Sequence, residues 1–466
     1  MKVIIGGGGP AGLTAAYLLS KKGFSSTVYE AGDDVGGIAK TVEYKGYLFD
    51  LGGHRFFTKM KRVESIWHDV LGDEFLVRSR LSRIYYNGKF FNYPLKLTNV
   101  VYNMGIAESF AVFLSYVKSA LLPKRPDDSF EDYVINRFGK RLYETFFRIY
   151  TEKVWGMPCT EIRAEWAAQR IKGMSFTSVV KTLIFGNKGD IKSLIERFHY
   201  PRYGPGQLWK KMAEDIQGNG GEVFLNSKIV GVNVSKNMVD SVRVSEKNKV
   251  RDVELDYFIS TLPLKDLVLM IKPKPPQDVL DAAKKLRYRD FLIVSLIIDK
   301  KSTWPDNWIY IHDKNQKVGR IQNYVNWSPY MVPEKDKACV GMEYFCFEGD
   351  ETWNMKDDKL IALASRELTE LGLIEERRYV VDGTVVRVKK AYPVYDMEYR
   401  RHLDKIIKYL SPVENMYTIG RNGTHKYNNM DHSMLTSIYA VENIEGAKNN
   451  IWAVNTDQEY HETKTK

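Results

Sequence analysis

Cysteine is scarce in this chain: three in 466 residues, at Cys159, Cys339 and Cys346. None belongs to a C-x-x-C pair, so neither a zinc-ligand set nor a disulfide framework is expected. Each reads as a buried small hydrophobe in a reducing cytoplasm, and the absence of a signal-peptide pattern at Met1 points the same way. Histidine is sparse too, at eight, and forms no His-rich cluster, so no metal is expected. No apolar run is long enough to span a bilayer. The nearest, Ala107 to Leu122, is interrupted by Glu108, Ser109, Ser115 and Lys118 and reads as a buried or amphipathic helix. The net charge is +11, yet no block of five basic residues occurs, which argues against a nucleic-acid stripe. A dinucleotide and a phosphorylated substrate account for that charge more simply. No internal repeat appears, and low complexity is confined to the Thr463 to Lys466 tail. No Ser-His-Asp set and no carboxylate pair at catalytic spacing stands out. That lack suits a protein whose chemistry is carried by a cofactor.

What is present begins at the N-terminus. Lys2 to Ile5 reads as a strand, Gly6 to Gly9 as a loop, Ala11 to Lys22 as a helix and Ser26 to Tyr29 as a second strand ending at Glu30. Gly7, Gly9 and Gly12 make the G-x-G-x-x-G spacing. A tight turn and close backbone approach bring N–H groups and a helix N-terminus, opened by Pro10 and Ala11, onto a pyrophosphate. Glu30, followed by Ala31, is placed to accept hydrogen bonds from an adenosine ribose. Gly36 and Gly37 follow six residues on, a pattern that resembles FAD-binding flavoproteins rather than simple nicotinamide dehydrogenases.

Downstream, Gly52-Gly53-His54 suggests backbone pressed against something flat, for which a flavin ring qualifies; a loop histidine satisfied by a carbonyl is the alternative. Asn87-Gly88 turns a hairpin over Val77 to Tyr93. From Leu97 to Gly173 the pattern is helical almost throughout, and Arg170 lies on its last helix. Three strands (Glu222 to Phe224, Lys228 to Val234, Val239 to Val244) and Leu255 to Ser260 lead back towards the first sheet. Phe291 to Phe345 alternates as an antiparallel sheet. Tyr392-Pro393 reads as a turn, Gly420 to Gly423 as a loop and Asp431 to Ile444 as a final helix whose N-terminus can face an anion or a flavin. The expected fold is α/β: a discontinuous two-dinucleotide-binding (Rossmann-like) FAD domain over residues 1–75, 200–265 and 412–466, a helical domain over 95–195, and an antiparallel-sheet substrate domain over 76–94 and 266–411. The length suits several domains, because single cores stop growing near about 250–300 residues.

Five blocks carry a family likeness. They are the N-terminal glycine loop; Gly52-Gly53-His54; Trp308-Ile309-Tyr310 with Arg320; Ala391-Tyr392-Pro393; and Gly420 to Tyr427 followed by Met430-Asp431-His432-Ser433. With them the chain resembles the UDP-galactopyranose mutases, especially the eukaryotic-type ones, and the related bacterial flavoproteins of the amine oxidase and protoporphyrinogen oxidase superfamily. The resemblance implies that Arg170 and Arg320 grip a diphosphate, that Tyr310, Tyr392 and Tyr427 donate hydroxyls, and that Trp308 lines the sugar pocket. It further implies His54 beside the isoalloxazine, Arg421, Asp431, Ser433, Gly53 and Val230 on the FAD, and Tyr93 near the nucleotide base. His54, Arg170 and Arg320 would be the catalytic group. The family's glutamine after the Tyr-Pro pair is replaced, since Leu95 and Lys96 follow Tyr93-Pro94, and the eukaryotic-type asparagine is unmatched near Phe198 to Pro201. Both changes leave the base and the sugar open, as is the oligomeric state. The implied activity is interconversion of pyranose and furanose nucleotide sugars for cell-surface polysaccharide, with reduced flavin N5 attacking the anomeric carbon and NADPH or NADH as reductant. Two other readings stand beside it: an FAD oxidoreductase of the amine-oxidase and desaturase kind, which needs an apolar tunnel, and a non-enzymatic flavin-binding accessory protein.

Overall fold

The computed structural model describes residues 1–93, 95, 97–122, 126–171, 197–247, 249–301 and 304–455, leaving aside the side chains at 97 and 169–171. A five-stranded sheet organises one part of the molecule, in the order Met416–Thr418, Tyr257–Ser260, Lys2–Gly6, Ser25–Tyr29 and Glu222–Phe224. Every neighbouring pair in it is parallel. Val3, Ile4 and Ile5 are all fully buried, the unbroken apolar run of a strand covered on both faces. One cover is the helix Pro10–Lys21, which packs on Met430–Ile444 and Gly206–Gly218. Trp67, on Lys61–Leu71, meets Trp209 edge to face at 5.7 Å beneath them. Beside this sheet lies a four-stranded one that contains the hairpin Ser227–Ser235 and Met238–Glu246.

A seven-stranded sheet forms the opposite wall of the site, in the order Val380–Pro393, Tyr288–Ile298, Ala338–Cys346, Arg320–Asn323, Trp308–Ile311, Ser82–Tyr86, Lys89–Asn92. Tyr288–Ile298 is buried along its whole length. The sheet is antiparallel with one exception, the parallel pairing of Trp308–Ile311 with Ser82–Tyr86. Alternation sets which face each residue takes but not strand direction, and this hairpin joins from a distant part of the chain with no tight turn to fix it. Within the hairpin, Asn87 and Gly88 take φ of 49° and 76°, as a two-residue turn between right-twisted strands requires.

The segment expected to be helical almost throughout is divided into Leu97–Met104, Ile106–Leu121, Phe130–Phe138, Lys140–Tyr143, Ile149–Trp155 and Ala164–Ile171. Ser129 caps the third of these by accepting from the Asp132 N–H at 3.1 Å. Gly139 makes one of the breaks: a Cβ there would lie 2.9 Å from the Ser115 carbonyl carbon, so helix Ile106–Leu121 passes against bare backbone. Two further local expectations are corrected. Tyr392-Pro393 ends a fourteen-residue strand instead of forming a turn, and Gly420–Gly423 forms a helical turn instead of a loop. The three cysteines are buried, as expected. Among the described residues no single helix is long and apolar enough to cross a membrane, and no cluster of His, Cys, Asp or Glu could hold a metal.

Asp50 locks these parts together from the end of strand Tyr47–Asp50. Its carboxylate is fully buried and accepts from the Thr41 hydroxyl at 2.8 Å and from the Tyr200 hydroxyl, while its carbonyl accepts from Tyr324 at 2.8 Å. Burial pushes the carboxyl up to about 7, against the opposing pull of the two hydroxyl donors. The folded state therefore binds this proton more tightly than the unfolded chain. The stabilisation is full below the ordinary carboxylate value of 3.8 and is lost as pH rises through about 7. Urea unfolding of Asp50→Asn across that window should show a stability flatter than wild type by on the order of 4 kcal/mol. Equal slopes would refute this role.

Candidate functional site

The glycine loop is shaped by contacts that leave no room for a side chain. Gly7 has φ +99°, and a Cβ there would strike the Thr261 hydroxyl, which donates to the Gly6 carbonyl at 2.8 Å. A Cβ on Gly12 would strike the Gly7 carbonyl, so the helix can start this close to the loop only with glycine there. Glu30 links the loop to the next strand: its two carboxylate oxygens accept from the Gly8 N–H at 2.6 Å and the Gly32 N–H at 2.7 Å. The Gly36 N–H donates to the Gly8 carbonyl at 2.8 Å, which folds the second glycine pair back over the first.

From this loop a cavity of about 490 Å³ runs to the face of the seven-stranded sheet, so both ends belong to one continuous space. Gly7, Gly9, Pro10 and Ala11 line its near end with Glu30, Ala31 and Gly37. Gly53, His54, Arg421, Asp431 and Ser433 line the middle. Trp308, Tyr310, Arg320, Tyr392 and Tyr427 line the far end. Four of the residues expected at the site do not border the cavity. Gly12 and Gly36 shape the loop from behind; Lys228 and Ile229 line in place of Val230; Tyr93 stands behind Tyr310, with ring centroids 5.2 Å apart. Arg170 lies on Ala164–Ile171, and its side chain is outside the described residues.

Strand register assembles the far end. Tyr310 pairs with Arg320, and Arg320 in turn with Glu343, so the three form one row across adjacent strands. Gln322 adds a fourth polar group on the same face, while Ile309, Ile321 and Met342 alternate into the core on the other. Arg320 donates through Nε to Glu343 at 2.9 Å and through Nη2 to the Tyr392 hydroxyl at 2.7 Å. Gln322 also donates to Glu343, at 2.6 Å, which completes the shell of a carboxylate with no exposed surface. Burial pushes the Tyr392 phenol up to about 12, so it is neutral, and with Arg320 donating to its oxygen its own proton is left for a ligand. Tyr392 and Tyr427 stack at 5.5 Å, and the Arg421 guanidinium lies 4.8 Å from the Tyr427 ring. Arg421 is itself held by the Asn428 and Ala391 carbonyls at 2.8 and 3.0 Å. Trp308 stacks on Trp327 at 5.4 Å and carries the Arg55 guanidinium 4.8 Å from its ring.

His54 is neutral. Burial, with the Arg421 and Arg320 charges adding to it, holds its imidazole down at about 3. Helix Met430–Ile444 begins at the cavity with a reciprocal cap between Asn429 and His432.

Glu343, Gln322 and Arg55 were not singled out from the sequence. The signal for Glu343 was available, as one carboxylate in the otherwise apolar run Ala338–Cys346. Arg55 directly follows the quoted Gly52-Gly53-His54 block but is told from a solvated loop charge only by its position over Trp308.

A model of the flavin containing amine oxidoreductase family matches residues 10–444. The chain belongs to that family. Its relatives diverge in what they do. A 4,4'-diapophytoene desaturase of a Methylomonas species is 22% identical over 54% of this chain, and the chain spans about half (52%) of that relative's length. A probable UDP-galactopyranose mutase of Klebsiella pneumoniae is 28% identical over 35% of this chain and 43% of its own length. Among solved structures, reduced UDP-galactopyranose mutase superimposes with a TM-score of 0.83 at 21% identity, covering 99% of both chains. At that identity the superposition establishes the fold.

The family is a flavin-binding one, and the residues present fit FAD. Gly9 and Gly37 pack backbone to backbone, a Cβ on Gly37 lying 3.3 Å from the Gly9 Cα, and both border the cavity, so the wall offered to a pyrophosphate there is bare main chain. His54 Nδ1 and Asn422 Oδ1 are buried at the cavity with no hydrogen-bond partner among the described residues, as groups that await a ligand would be.

Proposed function

We propose that this member of the flavin containing amine oxidoreductase family is a nucleotide-sugar mutase that interconverts pyranose and furanose forms of UDP-galactose or a related sugar. The observation that carries this reading is the chemistry of the far wall. Guanidinium groups from Arg55 and Arg320 and phenols from Tyr310, Tyr392 and Tyr427 border the far end, and the Arg421 guanidinium of the middle section reaches to 4.8 Å from the Tyr427 ring. A hydrocarbon substrate of a desaturase calls for an apolar tunnel, whereas a diphosphate calls for forked cations and neutral hydroxyl donors. Glu343 partly neutralises Arg320, while Arg421, held by the Asn428 and Ala391 carbonyls, supplies charge that this carboxylate does not offset.

In its reduced form the bound flavin would supply the electron pair that displaces and returns the diphosphate without net oxidation, with NADPH or NADH keeping it reduced. The protein's part is binding and positioning. Arg320 and Tyr392 hold the diphosphate against the anomeric carbon, Trp308 and Tyr310 bound the sugar, and neutral His54 packs beside the ring without adding a charge. No acid/base dyad is required, in keeping with the single buried carboxylate of the wall and its fixed partners.

The test is to incubate dithionite-reduced enzyme, without oxygen, with a panel of nucleotide hexopyranoses and to follow furanose isomers by anion-exchange chromatography. Appearance of an isomer without consumption of reductant is expected. Turnover that instead needs oxygen or a quinone, with no isomer from any sugar, would sink the reading.

A further inference from the structure

The two helices Leu97–Met104 and Ile106–Leu121 carry an apolar face that the rest of the described chain does not cover. Tyr102, Ile106 and Leu121 are 86%, 82% and 81% exposed, and Phe110, Phe113, Leu114 and Leu122 are exposed between and beyond them. Ile106, Phe110, Phe113, Leu114 and Leu121 recur at helical spacing on one side of the longer helix, while Val112 points inward and is buried. That inward side is held by the Ser115 hydroxyl, which accepts from the Arg141 N–H at 3.1 Å, and by Gly139 against Tyr116. The apolar stripe therefore faces outward in a packed helix. Single exposed apolar residues are ordinary, but a contiguous stripe of this kind marks a surface that meets something apolar.

We propose that this helical pair docks the protein on the surface of an anionic lipid bilayer. The two helices together have the length and composition of a span, but they bend through 118° at Gly105, so the chain turns back on itself and the pair fits the interface and not a straight crossing. The bend also spreads the apolar side chains over two directions, a shape that suits a bilayer surface better than the straight seam offered by a second helix. The charges fit the same occupant. Glu108 is the lone acid on the pair, and Arg141 holds both its oxygens at 2.6 Å. Exposed Lys118 lies near one end of the stripe, and exposed Lys89, whose ammonium donates to the Asn103 carbonyl at 2.6 Å, lies by the bend. The chain as a whole carries +11. Val100 of the shorter helix packs with Ile84, Phe91 and Phe146 in a cluster that extends through Tyr93 to Tyr310. The helical pair is thus joined through this cluster to Tyr310 at the far wall of the cavity. This inference is independent of the mutase reading.

Full-length holoprotein should float with vesicles of mixed phosphatidylcholine and phosphatidylglycerol and remain unbound with phosphatidylcholine alone. Phe110→Asp, and separately Tyr102→Asp on the other helix, should each lower partitioning by roughly tenfold or more with unchanged flavin content and far-ultraviolet dichroism. Lys118→Glu should weaken binding at low salt and matter less at high salt. Three outcomes would overturn the proposal: no flotation with anionic vesicles; flotation that neither aspartate substitution alters; or a dimer in solution that Phe110→Asp converts to monomer while wild-type protein ignores vesicles, which would assign the face to a second copy of this chain.

Discussion

Valine in place of Gly12 is expected to yield a protein that purifies without flavin. Any Cβ at this position collides with the Gly7 carbonyl, and both partners are backbone, so neither can rotate away. Relief requires the helix start to move off the loop. That movement draws the first helical N–H groups back from the pyrophosphate and disturbs the Gly8 N–H that donates to Glu30. A loss above about 4 kcal/mol in FAD binding, roughly a thousandfold, is expected. The flavin absorbance band relative to protein absorbance, before and after dialysis against excess FAD, measures it. Gly218 is the control. It ends the helix Gly206–Gly218, and a Cβ there meets nothing within 4 Å, so Gly218→Ala should keep full flavin content. Flavin retained by Gly12→Val would remove the loop from the cofactor site.

Removing the Arg320 side chain should damage the fold as well as the site. Glu343 is fully buried and keeps only its Gln322 contact once the guanidinium is gone. An uncompensated carboxylate in that setting costs about 3–5 kcal/mol. Arg320→Ala alone should therefore lower the unfolding midpoint strongly and lose nucleotide-sugar affinity together, and loss of activity would say little about binding. The double variant Arg320→Met with Glu343→Gln separates the two effects. It removes both charges, keeps a partner for Gln322 and retains most of the volume. Most of the stability should return in denaturant titrations, while nucleotide diphosphate affinity, read by quenching of Trp308 and its neighbours, stays low. Recovery of affinity with stability would show that Arg320 acts only on the fold.

How far these features were legible in the sequence depends on how local their causes are. The glycine loop, Glu30 and Gly37 were legible because turn geometry, a helix start and a strand end are set by neighbouring residues. The Asn87-Gly88 hairpin was legible for the same reason. The row Tyr310, Arg320, Glu343 was only half visible. Family likeness pointed to the first two, but Glu343 becomes their partner through strand register, which is a long-range property. Val230, expected at the cofactor, neighbours Ile229, which lines the cavity, and successive positions of a strand take opposite faces. Tyr392-Pro393 resembled a turn because proline lacks a ladder donor, yet at the last position of a strand that lack is tolerated. Glycines such as Gly139 end helices through contacts with a neighbouring helix, so the pattern from Leu97 to Gly173 read as smoother than it is.

The order of strands in the parallel sheet has a consequence for a shortened chain. Lys2–Gly6 is flanked by Ser25–Tyr29, which emerges soon after it, and by Tyr257–Ser260, which follows more than half the chain later; Met416–Thr418 and the helix Met430–Ile444 close the arrangement. The strand Tyr257–Ser260 and the helix Met430–Ile444 that complete the surroundings of the glycine loop thus come from distant parts of the chain. The first turn of that helix supplies Met430, Asp431 and Ser433 to the cavity. A chain cut before that helix therefore lacks Asp431 and Ser433 and leaves the middle of the cavity without one of its walls.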